Sequence, residues 1–179
     1  MPRIIRDLPF YDRPTSVEVR GRTVSIQRDQ IMVWVSLSEI GLSELHPNSP
    51  RFPAVLDSGC NHCFVIRQEH LVQWARIRPE YLPRLRPTRV YGRPVPQLAA
   101  NIWLHPNRPG HRDEFTGQPP VLVEAEPGIA VVPETIGEGK PRLPLLGLRA
   151  FRWNNLCLTV HGDHCCVNIY TRRRFWFFG

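Results

Sequence analysis

The sequence predicts an all-β fold, and three observations carry that expectation. Short apolar or alternating runs of strand length recur along the chain, helical periodicity is scarce, and nineteen prolines are spread through 179 residues. Proline fixes φ and lacks a donor N–H, so a chain this rich in it builds from short strands joined by loops, with non-local pairing. The length suits one domain with a sizeable core, and 42% apolar and 22% charged residues are ordinary for a globular protein.

The expected elements follow in order. Residues 1–15 are polar and proline-punctuated, and read as an N-terminal arm. Val17 to Ile26 alternates around Gly21 and reads as a hairpin, and Ile31 to Leu37 as a largely buried strand. Residues 41–51 are a polar connection. Phe52 to Leu56 is a buried strand ending at Asp57, and the chain turns apolar again at Phe64-Val65-Ile66. Gln68 to Ala75 reads as a short amphipathic helix, with Leu71 and Trp74 or Ala75 on one face. Strand-like pieces follow at Arg89–Tyr91 and Leu98–Leu104, on either side of Gly92-Arg93-Pro94. Residues 105–120 form a long loop, Val121–Val123 and Gly128–Val132 are strands, and Leu156–Val160 with Cys165–Tyr170 form a hairpin turned at Gly162-Asp163. The domain is expected over residues 16–170, with a basic and aromatic tail over 171–179.

Charge and cysteine content narrow the class. The net charge of +7 is an arginine charge, because Lys140 is the only lysine. The arginines are scattered through proline-rich loops, and Arg172-Arg173-Arg174 is the one tight run, so a solvated surface is expected rather than a nucleic-acid site. Five cysteines without framework spacing are expected to be reduced thiols. The first residues lack the apolar segment of a signal peptide, and no run of eighteen apolar residues occurs; a cytoplasmic location away from membranes is expected.

The chemistry concentrates at Asp57-Ser58-Gly59. A buried strand that delivers a carboxylate into a tight loop places a charge where charges are costly, which marks a candidate for acid/base work on water. Ala54-Val55-Leu56-Asp57-Ser58-Gly59, then Asn61-His62 and Phe64-Val65-Ile66, resembles the active-site strand and loop of the retropepsin-like aspartic proteases, the retroviral and retrotransposon type. About ninety residues on, Leu145-Leu146-Gly147 leads into Leu148 to Phe151 and is similar to that family's second motif, two aliphatic residues and a glycine before a short helix.

The resemblance implies a closed, retropepsin-like acid-protease β-barrel with one or two short helices, and an aspartic endopeptidase that needs no cofactor and no metal. Peptide hydrolysis by carboxylates uses a pair that shares one proton. Of six aspartates only Asp57 is followed by Ser/Thr-Gly, so the second acid must come from another chain, in a C2 homodimer acting on a peptide or protein substrate. By the same resemblance Ser58 bridges the two loops, Gly59 bonds substrate through its backbone, and Tyr91, Gly92 and Arg93 form the tip of the flap that closes over the peptide. Two departures stand out. Cys60 replaces the alanine common after the motif, and Pro94 and Pro96 stiffen a flap that is usually glycine-rich. His62, five residues past Asp57, reads as a solvated neighbour, and Phe175 to Phe178 as a packing segment.

Three rival readings remain open at this point. Cys60-x-x-Cys63 with His161-x-x-His164 or Cys165-Cys166 supplies zinc-type ligands, although about a hundred residues separate the two sets. The fold without catalysis would be a dimerisation or peptide-binding module. The arginines leave a nucleic-acid-binding β domain as the third.

Overall fold

The computed structural model describes residues 2–133 and 143–171. In chain order the strands are β1 (Arg3–Pro9), β2 (Thr15–Val19), β3 (Arg22–Ile26), β4 (Ile31–Ser38), β5 (Phe52–Asp57), β6 (Phe64–Arg67), β7 (Thr88–Val90), β8 (Arg93–Val95), β9 (Gln97–Leu98), β10 (Asn101–Leu104), β11 (Val121–Val123), β12 (Ile129–Val132), β13 (Leu145–Gly147), β14 (Leu156–His161) and β15 (Cys166–Thr171). Two short helices, α1 (Gln68–Gln73) and α2 (Leu148–Trp153), follow β6 and β13 directly. The protein is therefore mostly β, and none of its described helices is long and apolar enough to cross a membrane.

Eight strands form one curled, half-barrel sheet in the order β11-β10-β4-β5-β13-β6-β12-β9. Its middle is built from residues remote in sequence: β13 runs parallel to β5 and β12 parallel to β6. Strands enclosed on both faces read as unbroken apolar runs, and Phe52–Leu56, Phe64–Ile66 and Ile129–Val132 are buried throughout. Phe52, Phe64, Met32, Leu71 and Leu146 fill the core beneath, where Phe52 meets Phe64 and Trp74 at ring-centroid distances of 6.5 and 6.4 Å.

Pro53 lies inside a central strand without breaking it. Val55 donates its N–H to Pro144 O at 2.8 Å, and residues two apart on a strand point their nitrogens to the same side. Pro53 therefore turns its donor-less nitrogen toward the edge where β13 has not yet begun, and no ladder bond is lost.

Residues 1–15, expected as an arm, instead contribute a core strand. β1 pairs with β15, which pairs with β14, and Ile4, Ile5 and Leu8 are buried. The register of β1 slips twice, and Asp7 at φ 43° marks the second irregularity. Two asparagine side chains stand in for ladder bonds there. Asn168 Oδ1 accepts from Asp7 N at 3.0 Å, while Asn107 accepts from Arg6 N at 2.9 Å and donates to Arg6 O at 2.8 Å. The bulge breaks the alternation that would have announced a strand. At the other end, Thr171 belongs to β15, while the Arg172–Arg174 run, the Phe175–Phe178 segment and Lys140 lie outside the described residues.

The hairpin expected near Gly21 is β2–β3, with Arg20 and Gly21 at φ 51° and 72°. Both central residues in the left-handed region give the tight turn that suits strand twist. The 105–120 loop is anchored by Asn107 and by Arg112, whose guanidinium donates to Thr15 Oγ1 at 2.8 Å and Ser16 O at 3.1 Å.

Candidate active site

β5 carries Asp57 to the end of the central sheet between two neighbours, antiparallel β4 and parallel β13. Phe52 to Leu56 are buried and Asp57 is half-buried, so the carboxylate emerges where the core meets solvent. The chain turns at once: Cys60 N donates to Asp57 O at 3.2 Å, and Gly59 N donates to Asp57 Oδ1 at 2.8 Å. One carboxylate oxygen is thus pinned by the backbone of its own loop. Among the described residues the other oxygen accepts no hydrogen bond, and the hydroxyl of exposed Ser58 makes none. A carboxylate held in one orientation with one oxygen open is arranged to bond water or a polar ligand.

The second motif stands beside the first. Leu145, Leu146 and Gly147 form β13, in register with Val55, Leu56 and Asp57, so Gly147 lies opposite the acid. The glycine is a steric requirement rather than a conformational one, since its φ is −87°. A Cβ on Gly147 would overlap His62 O and approach Cys60 O to 2.7 Å. Gly147 N also donates to Cys63 O at 3.0 Å. The loop carrying Asp57 therefore folds over a backbone that has no side chain to displace it.

Residues expected at a flap form a two-stranded hairpin, β7–β8, that turns through Tyr91 and Gly92 at φ 50° and 75°. Tyr91 is 65% exposed at the tip, and Arg93 opens the return strand. Beneath the hairpin Val90 and Val95 pack with Val65, Ala130 and Val132, and Cys60 and Leu145 lie against that cluster. This small apolar group is separate from the main core and adjoins both motif strands.

His62 is the residue whose part the sequence did not reveal. Its Nε2 donates to Arg89 O at 3.1 Å, which ties the Asp57 loop to the first strand of the hairpin and puts the ring proton on Nε2. A bond to a main-chain carbonyl 27 residues away leaves no signature in composition or spacing.

The cysteines serve packing here. Burial pushes the Cys60 thiol up, its hydrogen bond with His62 O opposes this, and the charge of Asp57 adds to the rise. Burial likewise takes Cys63 up to about 11, where its Sγ donates to Glu126 O at 3.3 Å. Both remain protonated at neutral pH. Among the described residues no group of three or more His, Cys, Asp or Glu is arranged to hold a metal ion; Cys63 sits at the start of β6, whereas Cys166 opens β15 in the other sheet.

Two further buried histidines lie outside this site. His70 stacks on Trp74 with ring centroids 3.7 Å apart, and His105 Nε2 meets Ser36 Oγ at 2.8 Å. Burial takes both down to about 4, assisted by the charges of Arg67 and Arg22 at His70 and of Arg51 at His105. Glu69 Oε1 lies 3.4 Å from His70 Nε2 and would favour the charged ring, but burial and the two arginines outweigh it. Both rings are neutral.

Comparison with protein-family models and with curated proteins found no match.

Proposed function

We propose that this protein is a retropepsin-like aspartic endopeptidase that works as a homodimer, with Asp57 of each protomer on the two-fold axis. One observation carries the reading: Asp57 and Gly147 end two parallel neighbouring strands, and the Gly59 N–H holds one oxygen of the acid. That arrangement suits a carboxylate shared between two copies rather than an acid in an ordinary turn.

In this reading the two carboxylates hold one proton between them. The ionised one takes a proton from water as the water attacks the scissile carbonyl, and the protonated one donates to the carbonyl oxygen. Collapse of the tetrahedral intermediate breaks the C–N bond, and the leaving amine takes a proton from the pair. Ser58 bridges the two loops, and Gly59 bonds the peptide. The β7–β8 hairpin with Tyr91, Gly92 and Arg93 covers an extended peptide, and the half-barrel belongs to a closed acid-protease barrel. Among the described residues β14 is an edge strand of its sheet, and it carries Val160, 52% exposed. Pairing of two β14 edges about the axis would join the two sheets into one and so hide an edge that otherwise invites aggregation. The expected setting is the cytoplasm, with a peptide or protein substrate and no cofactor.

The test compares wild type with Asp57→Asn on a peptide library between pH 5 and 7, alongside sedimentation at several concentrations. Hydrolysis should fall at least about a hundredfold in the variant. It should also fall on dilution as the dimer dissociates. Equal cleavage by both proteins, or activity independent of concentration down to a monomeric sample, refutes the reading.

A further inference from the structure

The β7–β8 hairpin, tied to the Asp57 loop by the bond from His62 to Arg89 O, carries a charged residue next to its tip. Directly opposed residues of an antiparallel ladder share a face. The pairs Thr88↔Val95, Arg89↔Pro94 and Val90↔Arg93 therefore sort the hairpin into two sides. Thr88, Val90, Arg93 and Val95 share one, and Arg89 and Pro94 the other. Val90 is 5% and Val95 1% exposed, because their side packs on the cluster that includes Cys60 and Leu145. Exposed Arg93 stands on that same inward side, next to the tip and opposite Val90.

An arginine at this position differs from the others scattered over the surface. Its stem leaves the hairpin on the side that packs against the cluster with Cys60 and Leu145, yet among the described residues no carboxylate forms an ion pair with it. Cys60, on the floor below, is three residues from Asp57 and feels its charge. In the peptidase reading, a peptide bound at Asp57 beside the hairpin tip meets a negative group at the acid loop and a positive fork at the tip. The catalytic charge alone would repel acidic side chains close to the scissile bond. The guanidinium offsets that repulsion, and its planar donors match a carboxylate with two parallel hydrogen bonds.

We propose that Arg93 is a specificity-determining residue that selects substrates bearing Glu or Asp close to the scissile bond. The proposal rests on the peptidase reading of the Asp57 site and deepens it by naming a substrate class. Binding energy from this contact is realised whenever the peptide is held, so the preference falls mainly on KM.

The test measures kcat/KM for matched peptides that differ only as Glu against Gln, or Asp against Asn, at each position within four of the cleaved bond. The full chain is used throughout, as wild type, Arg93→Lys, Arg93→Gln and Arg93→Glu. Wild type should prefer the acid at one position by about tenfold, corresponding to about 1.4 kcal/mol. The ratio should shrink with added salt, persist in part in Arg93→Lys and drop to about one in Arg93→Gln. Arg93→Glu should favour Lys over Gln at that position. A wild type that cleaves peptides, with Asp57→Asn inert, but shows no acid preference, or a preference that survives Arg93→Gln, overturns the proposal and leaves the peptidase reading standing. A wild type that cleaves no peptide, or is matched by Asp57→Asn, overturns both.

Discussion

Acid should loosen this fold at two identifiable points, and the size of the effect follows from the buried histidines. His70 and His105 sit near 4 in the folded protein and titrate near 6.5 when the chain is unfolded. Between those values the unfolded chain binds protons that the folded chain refuses. Each ring therefore contributes stability that is present above about pH 6.5 and is lost progressively as the pH falls toward 4. Lowering the pH from 7.5 to 5 should remove about 2 kcal/mol for each ring, so about 4 kcal/mol together, with a ceiling of about 3.4 kcal/mol each below pH 4. Typical domains have a total stability of only about 5–15 kcal/mol. Urea unfolding followed by tryptophan fluorescence at pH 7.5 and 5 reads the loss. His70→Phe and His105→Phe should each shrink the pH difference by about 2 kcal/mol, and comparing two pH values within one variant cancels that variant's own change in packing. Unfolding midpoints that match at both pH values, or phenylalanine variants that lose as much as wild type, would refute the assignment of neutral, desolvated rings.

Four more outcomes are expected. Gly147→Ala should destabilise the protein by on the order of 3 kcal/mol in the same urea assay, because its Cβ meets the main-chain oxygens of His62 and Cys60; an unchanged midpoint would show that the loop yields freely. His62→Ala should speed amide exchange in β7 and β8 about tenfold by releasing Arg89 O, while β14 and β15 keep their protection. Iodoacetamide at pH 7.5, followed by peptide mass mapping, should label exposed Cys157 and Cys165 well before Cys60 and Cys63, and early labelling of Cys60 would contradict its raised pKa. If the proposed dimer pairs its β14 edges, Val160→Lys should raise its Kd at least about tenfold by sedimentation, since each copy loses on the order of 1 kcal/mol of apolar contact; an unaltered Kd would move the interface away from the β14 edge.

Hairpins and buried runs could be read from the sequence because their signals are local. Gly21 marks the β2–β3 turn, and the apolar run to Leu56 and the short helix after Arg67 lie close to where periodicity puts them. β1 was hidden for a physical reason: one register slip between Arg3 and Ile5 buries the adjacent Ile4 and Ile5, and a second at Asp7 delays Leu8, so no clean period of two exists. Asn107 and Asn168 look like ordinary loop and strand polar residues until the bulge they satisfy is seen. At the candidate site the two motifs could be picked out, but the reason for Gly147 could not, because the oxygens that exclude a Cβ belong to His62 and Cys60. The apolar face read for the short helix did not include His70, which stacks on Trp74 at 3% exposure.

The parallel union of β5 and β13 also sets a timetable for synthesis. As the nascent chain leaves the ribosome, Asp57 can be braced early by β4, but its other flank stays vacant until Leu145 to Gly147 emerge almost ninety residues later. A stalled or clipped polypeptide ending before that point holds the acid without the strand that frames it. The pairing that frames Asp57 is withheld from any chain that stops short of Gly147.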